Sequence, residues 1–115
     1  MSPSVPGRVL ADADISLSHE PLPSDAVISG APTTAMVALD SYGDCEVGAW
    51  EMTPGVARDT EADEIFVVLS GRARVEFEDS DAAPLDLRAG SVVRLAAGAR
   101  TVWTVSETLR KVYIA

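Results

Sequence analysis

One acidic residue, Glu64, opens the most apolar stretch of the chain, residues 65–69, and the turn-forming pair Ser70-Gly71 follows that stretch. Five consecutive large apolar residues rich in β-branched types predict a strand that is buried on both faces. Alternation along this strand places Glu64 on the same face as Phe66. A carboxylate enclosed by apolar side chains needs a cation, hydrogen-bond donors or a proton. The position therefore suits a general acid or base, or an anchor for the amine or amide group of a ligand.

Aromatic and basic side chains elsewhere in the chain can complete such a site. Thr101 and Trp103 share one face of a later strand by the same alternation, and an earlier strand carries the second tryptophan. Two interpretations stay open, which are a small pocket that binds a ligand and a buried polar network that only closes the end of the fold. The candidates to balance the carboxylate are Arg58, Lys111 and the Tyr113 hydroxyl group. With Glu64 as the candidate catalytic residue, the predicted ligand-binding set is Trp50, Arg58, Glu64, Phe66, Thr101, Trp103, Lys111 and Tyr113.

The elements that must position these residues are short strands. Residues 73–78 alternate apolar with charged side chains, which is typical of a strand with one face inward and one face in water. Turn-forming residues separate the apolar segments, and no helix longer than one turn is predicted. Short strands at regular spacing predict an all-β sandwich or barrel. The predicted strands cover residues 35–39, 46–52, 64–70, 73–78, 85–87, 91–95, 101–105 and 108–114, with an acidic loop at 59–63.

The first 25 residues differ in composition from the rest and hold four of the seven prolines. Proline cannot donate to a sheet, so this segment is predicted to be an extended arm that is either docked on the barrel or partly disordered. His19, the only histidine, lies in the arm, and we expect it to be exposed rather than a metal ligand. The chain is therefore divided into an N-terminal arm, residues 1–25, and a β-barrel domain, residues 26–115.

Length and composition exclude several classes of protein. A chain of 115 residues suffices for one domain with a substantial core, and its 47% hydrophobic content excludes a disordered chain. The net charge of −9 argues against nucleic-acid binding, which requires a basic surface. Cys45 is the only cysteine, so no internal disulfide can form. The sequence lacks a signal peptide and a membrane-spanning apolar run, so a cytoplasmic protein without a membrane partner is expected.

The order of these segments resembles the cupins, a family of small jelly-roll β-barrels. The first cupin motif ends in Glu, six residues and Gly, which fits Glu64 and Gly71. The second begins with Gly and five residues before Pro-x-Gly, which fits residues 90–98 except that Ala96 stands in place of proline. The resemblance covers about residues 26–115 and implies a single-domain cupin jelly-roll β-barrel with the extended N-terminal arm in front of it.

The chain is most similar to the short single-domain cupins allied to ureidoglycine aminohydrolase. Those proteins share a Trp before Pro-Gly, an Asp-Glu pair before the buried strand, a Trp after the second motif, and a last strand in which a basic residue precedes Tyr. The matching residues here are Trp50 with Pro54-Gly55, Asp63-Glu64, Trp103, and Arg110-Lys111-Val112-Tyr113.

The family's metal ligands are not matched. Metal-binding cupins place two histidines, separated by one residue, three or four positions before the motif Glu, and a third in the second motif. The first pair falls on Arg58 and Thr60 or on Ala57 and Asp59, and the third falls on Thr101. A transition metal usually needs at least three N, O or S ligands, so we predict no metal site and no cofactor. The remaining oxygen donors suit at best weak binding of Mg²⁺ or Ca²⁺.

Three functions are compatible with these observations. The first is a metal-free cupin that binds a small polar metabolite in its barrel. The second, implied by the resemblance, is an enzyme like ureidoglycine aminohydrolase that acts on an amide, ureide or amine. The third is a non-enzymatic dimeric module with a regulatory or structural role. A homodimer is expected in each case, because residues 9–17 and 26–28 offer a strand that could pair with a sheet edge of a second copy.

Overall fold

The computed structural model describes residues 6–115, and every regular element in that range is a β-strand. No helix among these residues is therefore available to cross a bilayer. The predicted all-β, single-domain class is confirmed. The strands are β1 (Glu20–Pro21), β2 (Val27–Ser29), β3 (Thr33–Tyr42), β4 (Cys45–Met52), β5 (Gly55–Thr60), β6 (Glu64–Phe77), β7 (Leu85–Arg88), β8 (Val92–Leu95) and β9 (Arg100–Ile114).

The strands form one antiparallel sheet that curls around the core, and β9 is its central element. The C-terminal half of β9 pairs with β4, its N-terminal half pairs with β5, and its other edge pairs with β6 along most of its length. The strands β7 and β8 pair with successive parts of β6. Because β9 is 15 residues long, it joins two strands that were predicted separately at 101–105 and 108–114, and this division was wrong.

The turn predicted at Gly71 is also wrong, because Gly71 lies inside the single 14-residue strand β6. Its φ of +95° lies in the left-handed region, and the pairing with β9 shifts register between Val68 and Ala73. A Cβ at Gly71 would collide with the backbone carbonyl of Thr108. The glycine therefore produces a β-bulge that bends β6 across β9, rather than a hairpin that ends the strand.

The two faces of β6 differ in burial, which contradicts the prediction that residues 64–70 are buried on both faces. Phe66 and Val68 are fully buried, whereas Ile65, Val67 and Leu69 are between 37% and 46% exposed. Ile65 stands opposite Ile114 of β9, which is also exposed, so Ile65, Val67 and Ile114 form an apolar surface on the outside of the sheet. We call this surface the outer face, and no segment between residues 6 and 115 covers its exposed side chains.

The inward side chains of the same strands form the core. Most of them are large and apolar, and they come chiefly from β6 and β9. This packing leaves the polar side chains at the end of the barrel where β6 begins. The core cluster comprises Met52, Ala57, Phe66, Val68, Ala73, Val75, Leu87, Leu95, Trp103, Val105, Leu109 and Tyr113.

Strand β5 was missed, and part of it was predicted to be the acidic loop at 59–63. Its sequence carries a single large apolar residue, Val56, so it shows little alternation. The β-propensity of these residues does not by itself specify a strand. Pairing with β9 on one side and with β2 on the other stabilises the extended conformation of β5. Residues 26–28, which the sequence offers for exchange with a second copy, thus pair within their own chain.

The described part of the arm is docked on the barrel. Strand β1 pairs with β3, Arg8 forms an ion pair with Asp40 at 2.8 Å, and Arg110 donates a hydrogen bond to the carbonyl oxygen of Ala13 at 2.6 Å. Residues 1–5 of the predicted arm lie outside the described range. The docked arm extends the sheet beyond β3 and lies against Arg110 in the C-terminal half of β9.

Candidate functional site

Side chains from strands β4, β6 and β9 converge at the open end of the barrel around a cavity of about 320 Å³. Strand β6 contributes Glu64, β4 contributes Trp50, and β9 contributes Lys111 and Tyr113. The register explains this convergence, since Lys111 stands directly opposite Trp50 on one side and Val68 on the other. Antiparallel partners share a sheet face, so all these side chains point inward.

The Glu64 carboxylate is balanced by Lys111, one of the three partners proposed from the sequence. The Lys111 Nζ donates to Glu64 Oε2 at 2.6 Å, and the two side chains are only 6% and 12% exposed. Arg58 is not part of this group. Its side chain is 53% exposed and pairs with Glu78 at 3.3 Å, because Arg58 lies on the outward face of β5. The expectation that Arg58 joins the Glu64 site is wrong.

Three aromatic rings surround the Lys111 ammonium. Its Nζ lies 4.1 Å from the ring centroid of Phe66, 4.6 Å from Trp50 and 5.1 Å from Trp103. All three distances are within the range of cation–π attraction. Trp50 and Trp103 also contact each other, with centroids 5.5 Å apart and ring planes inclined by 55°. The three predicted aromatic residues therefore hold the lysine in place, and Trp50 and Trp103 also line the cavity, whereas Phe66 belongs to the core.

Glu61, which was predicted only as part of the acidic loop at 59–63, is a central residue of the site. It is only 7% exposed, and its Oε2 accepts hydrogen bonds from the Thr101 hydroxyl at 2.6 Å and the Trp103 indole N–H at 2.9 Å. The predicted residues Thr101 and Trp103 are thus near the site, but their polar atoms are engaged by Glu61. A buried indole N–H and a buried hydroxyl on one strand face require a hydrogen-bond acceptor. This requirement was the signal in the sequence from which an acceptor such as Glu61 could have been expected.

Glu46 forms a second unpredicted contact at the cavity rim. Its Oε2 accepts a hydrogen bond from the Tyr113 hydroxyl at 2.6 Å. Burial raises the pKa of Tyr113, and the adjacent Glu46 carboxylate raises it further, so that the pKa lies well above its usual range. Tyr113 therefore stays protonated and acts as a donor. Its ring packs on Gly48, where a Cβ would overlap the ring.

Asp59 completes the acidic lining of the cavity. Burial, and then the nearby Glu61 carboxylate, raise the pKa of Asp59. Asp59 also borders a second, smaller cavity of about 220 Å³ on the other side of Trp50 and Trp103. The main cavity is thus lined by the carboxyl groups of Glu46, Asp59, Glu61 and Glu64 against a single basic side chain, Lys111.

The two buried carboxylates of this lining each present one free oxygen. Glu61 and Glu64 both use Oε2 to accept hydrogen bonds from the protein. Their Oε1 atoms receive none from residues 6–115, and no side-chain oxygen that is fully buried in that range lacks a partner. Each Oε1 is therefore accessible from the cavity that both residues line.

His19 lies apart from this arrangement. The positions at which the family places its metal-binding histidines carry other residue types. His19 is on the docked arm, where it hydrogen-bonds with Thr33 at 2.8 Å and Glu51 at 2.5 Å. Burial alone would raise the pKa of Glu51, but hydrogen bonds from His19 and Arg110 outweigh it and lower the pKa. Among residues 6–115, no three His, Cys, Asp or Glu side chains converge as a set of metal ligands.

Comparison with known proteins agrees with the architecture. The family model of the EutQ-like cupin domain matches residues 40–113. A protein of unknown function from Pseudomonas syringae pv. tomato, of the DUF861 family, superimposes with a TM-score of 0.74 at 25% identity over 90% of this chain. The chain spans 45% of the length of that protein. No curated protein sequence matches the chain.

Two more distant structures share the fold. The EutQ protein of Clostridium difficile is 19% identical, with a TM-score of 0.64 over 87% of this chain and 79% of its own. A cupin superfamily protein from Desulfitobacterium hafniense is 15% identical, with a TM-score of 0.57 over 71% of this chain and 75% of its own. At these identities the likeness extends to the fold alone.

Proposed function

The chain belongs to the EutQ-like cupin family, and from this premise we propose that its barrel binds a small, N–H-rich metabolite without a metal ion. Amines, amides and ureides are the ligand classes that fit. The observation that carries the proposal is the excess of acceptors over donors in the cavity, where four carboxyl groups face one lysine. The cavity volume of about 320 Å³ is at the lower end of the range for ligand pockets, so the ligand is small.

Charge favours a cationic ligand over an anionic one. If its four carboxyl groups are ionised, the cavity lining carries three more negative than positive charges. Two unit charges of opposite sign 4 Å apart attract by roughly 4 kcal/mol at an effective dielectric constant of 20, and an anion would be repelled on the same scale. The free Oε1 atoms of Glu61 and Glu64 offer acceptors for two N–H groups, and the rings of Trp50 and Trp103 offer apolar contact.

A histidine-type metal site does not fit this cavity. The positions that correspond to the family's histidines carry Arg58 and Thr60 or Ala57 and Asp59, together with Thr101. The Glu64 carboxylate, the remaining family ligand, already accepts a hydrogen bond from the Lys111 ammonium at 2.6 Å, and no histidine joins it at the family's positions. The lysine thus supplies the positive charge that a metal ion would otherwise bring to Glu64.

The enzyme alternative rests on the free oxygen of Glu64. A carboxylate oxygen that is accessible from a ligand cavity can take a proton from a bound amide, ureide or amine. This geometry is compatible with the activity implied by the resemblance to ureidoglycine aminohydrolase. Formation of ammonia or another product from a bound ligand distinguishes turnover from binding alone.

Thermal unfolding with a matched set of small ligands tests the proposal. The set contains ethylamine, putrescine, acetamide and methylurea, with acetate and divalent metal chlorides for comparison. A ligand at 100 times its Kd stabilises the folded state by about 2.7 kcal/mol. We expect an amine, amide or ureide to raise the Tm and acetate to have no effect.

Two variants locate the binding site in the same experiment. Glu64→Gln removes a negative charge at the cavity, and Glu76→Gln removes one from the exposed face of the same strand. We expect the ligand response to be lost in the first variant and retained in the second. The proposal is wrong if no N–H donor stabilises the protein, or if both variants respond like the wild type.

A further inference from the structure

The chain contains a single lysine, and that lysine is Lys111. The other eight basic residues are all arginine. The exposed ion pairs of the sheet are made by arginines, as in Arg72–Glu107 and Arg74–Asp86. An arginine guanidinium does not lose its proton in proteins, whereas a lysine ammonium can become a nucleophilic amine. The only side chain of the protein with this capacity therefore lies inside the cavity.

The surroundings of Lys111 contain what such an amine needs. The Glu64 carboxylate is 2.6 Å from Nζ and can accept its proton. The rings of Trp50, Phe66 and Trp103 restrict water around the nitrogen, and the side chain is only 6% exposed. Desolvation in an apolar pocket is one way in which the lysines that form Schiff bases with carbonyl compounds are activated.

We propose that Lys111 forms an imine with a small aldehyde or ketone that enters the cavity. Glu64 takes one proton from the ammonium, and the nitrogen lone pair attacks the carbonyl carbon. The carbonyl oxygen receives that proton and a second one from nitrogen, so it leaves as water. The new bond between Nζ and the carbonyl carbon becomes a C=N double bond, and the bond between that carbon and the departing oxygen breaks. The product is a protonated imine. The step is balanced, since an ammonium and a carbonyl compound give an iminium ion and water.

The aromatic rings stabilise the product as they stabilise the reactant. The positive charge stays on Nζ, where it faces the same three rings and the same carboxylate before and after the reaction. The overall reaction thus does not require the cavity to lose a cation. The excess of carboxyl groups selects among carbonyl compounds, because it disfavours keto acids and favours neutral carbonyls with hydroxyl or N–H donors.

Reductive trapping measures this reaction directly. Full-length protein is incubated with glycolaldehyde, dihydroxyacetone or pyruvate and sodium cyanoborohydride, and the adduct is mapped by mass spectrometry. The matched control is the double variant Lys111→Arg/Arg72→Lys, which moves the only lysine to a strand position where the arginine side chain is 66% exposed. Free Nα-acetyllysine provides a second reference rate that does not depend on the fold of a variant.

We expect the adduct at Lys111 to form at least tenfold faster than the adduct at the relocated lysine or on Nα-acetyllysine. Pyruvate should react more slowly than the two neutral carbonyls, and Glu64→Gln should slow the reaction at least tenfold. Trapping at Lys111 that is no faster than on the reference amines overturns the inference, and so does an unchanged rate in Glu64→Gln.

The inference rests on the proposed binding cavity, yet the two can fail separately. Amine or ureide binding without trapping refutes the imine and leaves the proposed function in place. Rapid trapping without binding of any N–H donor refutes the proposed ligand class and leaves the imine in place.

Discussion

Replacing Lys111 with methionine tests how much stability depends on the buried pair with Glu64. Methionine keeps the length of the side chain and packs well against aromatic rings, so the main change is the loss of the charge. Removing one partner of a buried ion pair typically costs 3–5 kcal/mol, because the other charge is left without compensation. Glu64 borders the cavity and can be partly hydrated there. We therefore expect a loss of about 3 kcal/mol, at the lower end of that range.

A double-mutant cycle separates this pair from the general effect of each substitution. Urea unfolding of the wild type, Lys111→Met, Glu64→Gln and the double variant gives four free energies of unfolding. Lys111→Met should lower the Tm by about 10 °C, and the double variant should recover most of the loss because no unpaired charge remains. If the two single effects simply add, the pair contributes no coupling, and the role assigned to Lys111 as the counter-ion of Glu64 is refuted.

Three further predictions concern the core, the cavity and the outer face. Phe66→Ala should destabilise the protein by about 3–5 kcal/mol, since the ring is fully buried, and a urea midpoint close to that of the wild type would contradict this. Asp59→Asn should be more stable than the wild type at pH 7, because burial and Glu61 raise the pKa of Asp59 above its ordinary value of 3.8, so its ionisation opposes folding. The gain should vanish as the pH falls below 3.8, and melts at several pH values will show whether it does. We propose that two copies associate through the outer face, where Ile65 is 46% exposed; Ile65→Lys should give a 12.1 kDa monomer in light scattering, and a wild type of that mass would refute the dimer.

The all-β class could be predicted because it depends on local patterns. Apolar segments separated by turn formers specify strands, and alternation along them placed Phe66 and Trp103 on inward faces, where both are buried. The limits of the strands could not be predicted in the same way. Gly71 terminates a strand by local rules, but here its positive φ permits a bulge where β6 crosses β9. Whether a glycine ends a strand or bends it depends on the partner strand, which the local pattern does not contain.

The burial of β6 shows a similar limit. Local hydrophobicity predicted two buried faces, because Ile65 and Val67 are as apolar as Phe66 and Val68. The fold covers only the inner face within one chain. If a second copy of the chain covers the outer face, Ile65 and Val67 become buried, as the sequence pattern predicts. The proposed dimer therefore also explains why both faces of the strand were predicted to be buried.

The charge balance of the cavity explains why the site was only partly foreseen. Arg58 and Lys111 were equal candidates as partners of Glu64, and the choice between them depends on which face of its strand each residue occupies. On β5 the buried Ala57 faces Trp103, so the next residue, Arg58, must point outward. Because apolar and polar residues do not alternate clearly along β5, the side of the strand on which Arg58 lies could not be predicted before the pairing of β5 with β9 was known. Glu61 is affected in the same way, since it follows β5 directly and reaches Thr101 and Trp103 only through that pairing. The acceptors that favour an N–H-rich ligand are therefore set by strand register, and register is a property of the assembled sheet.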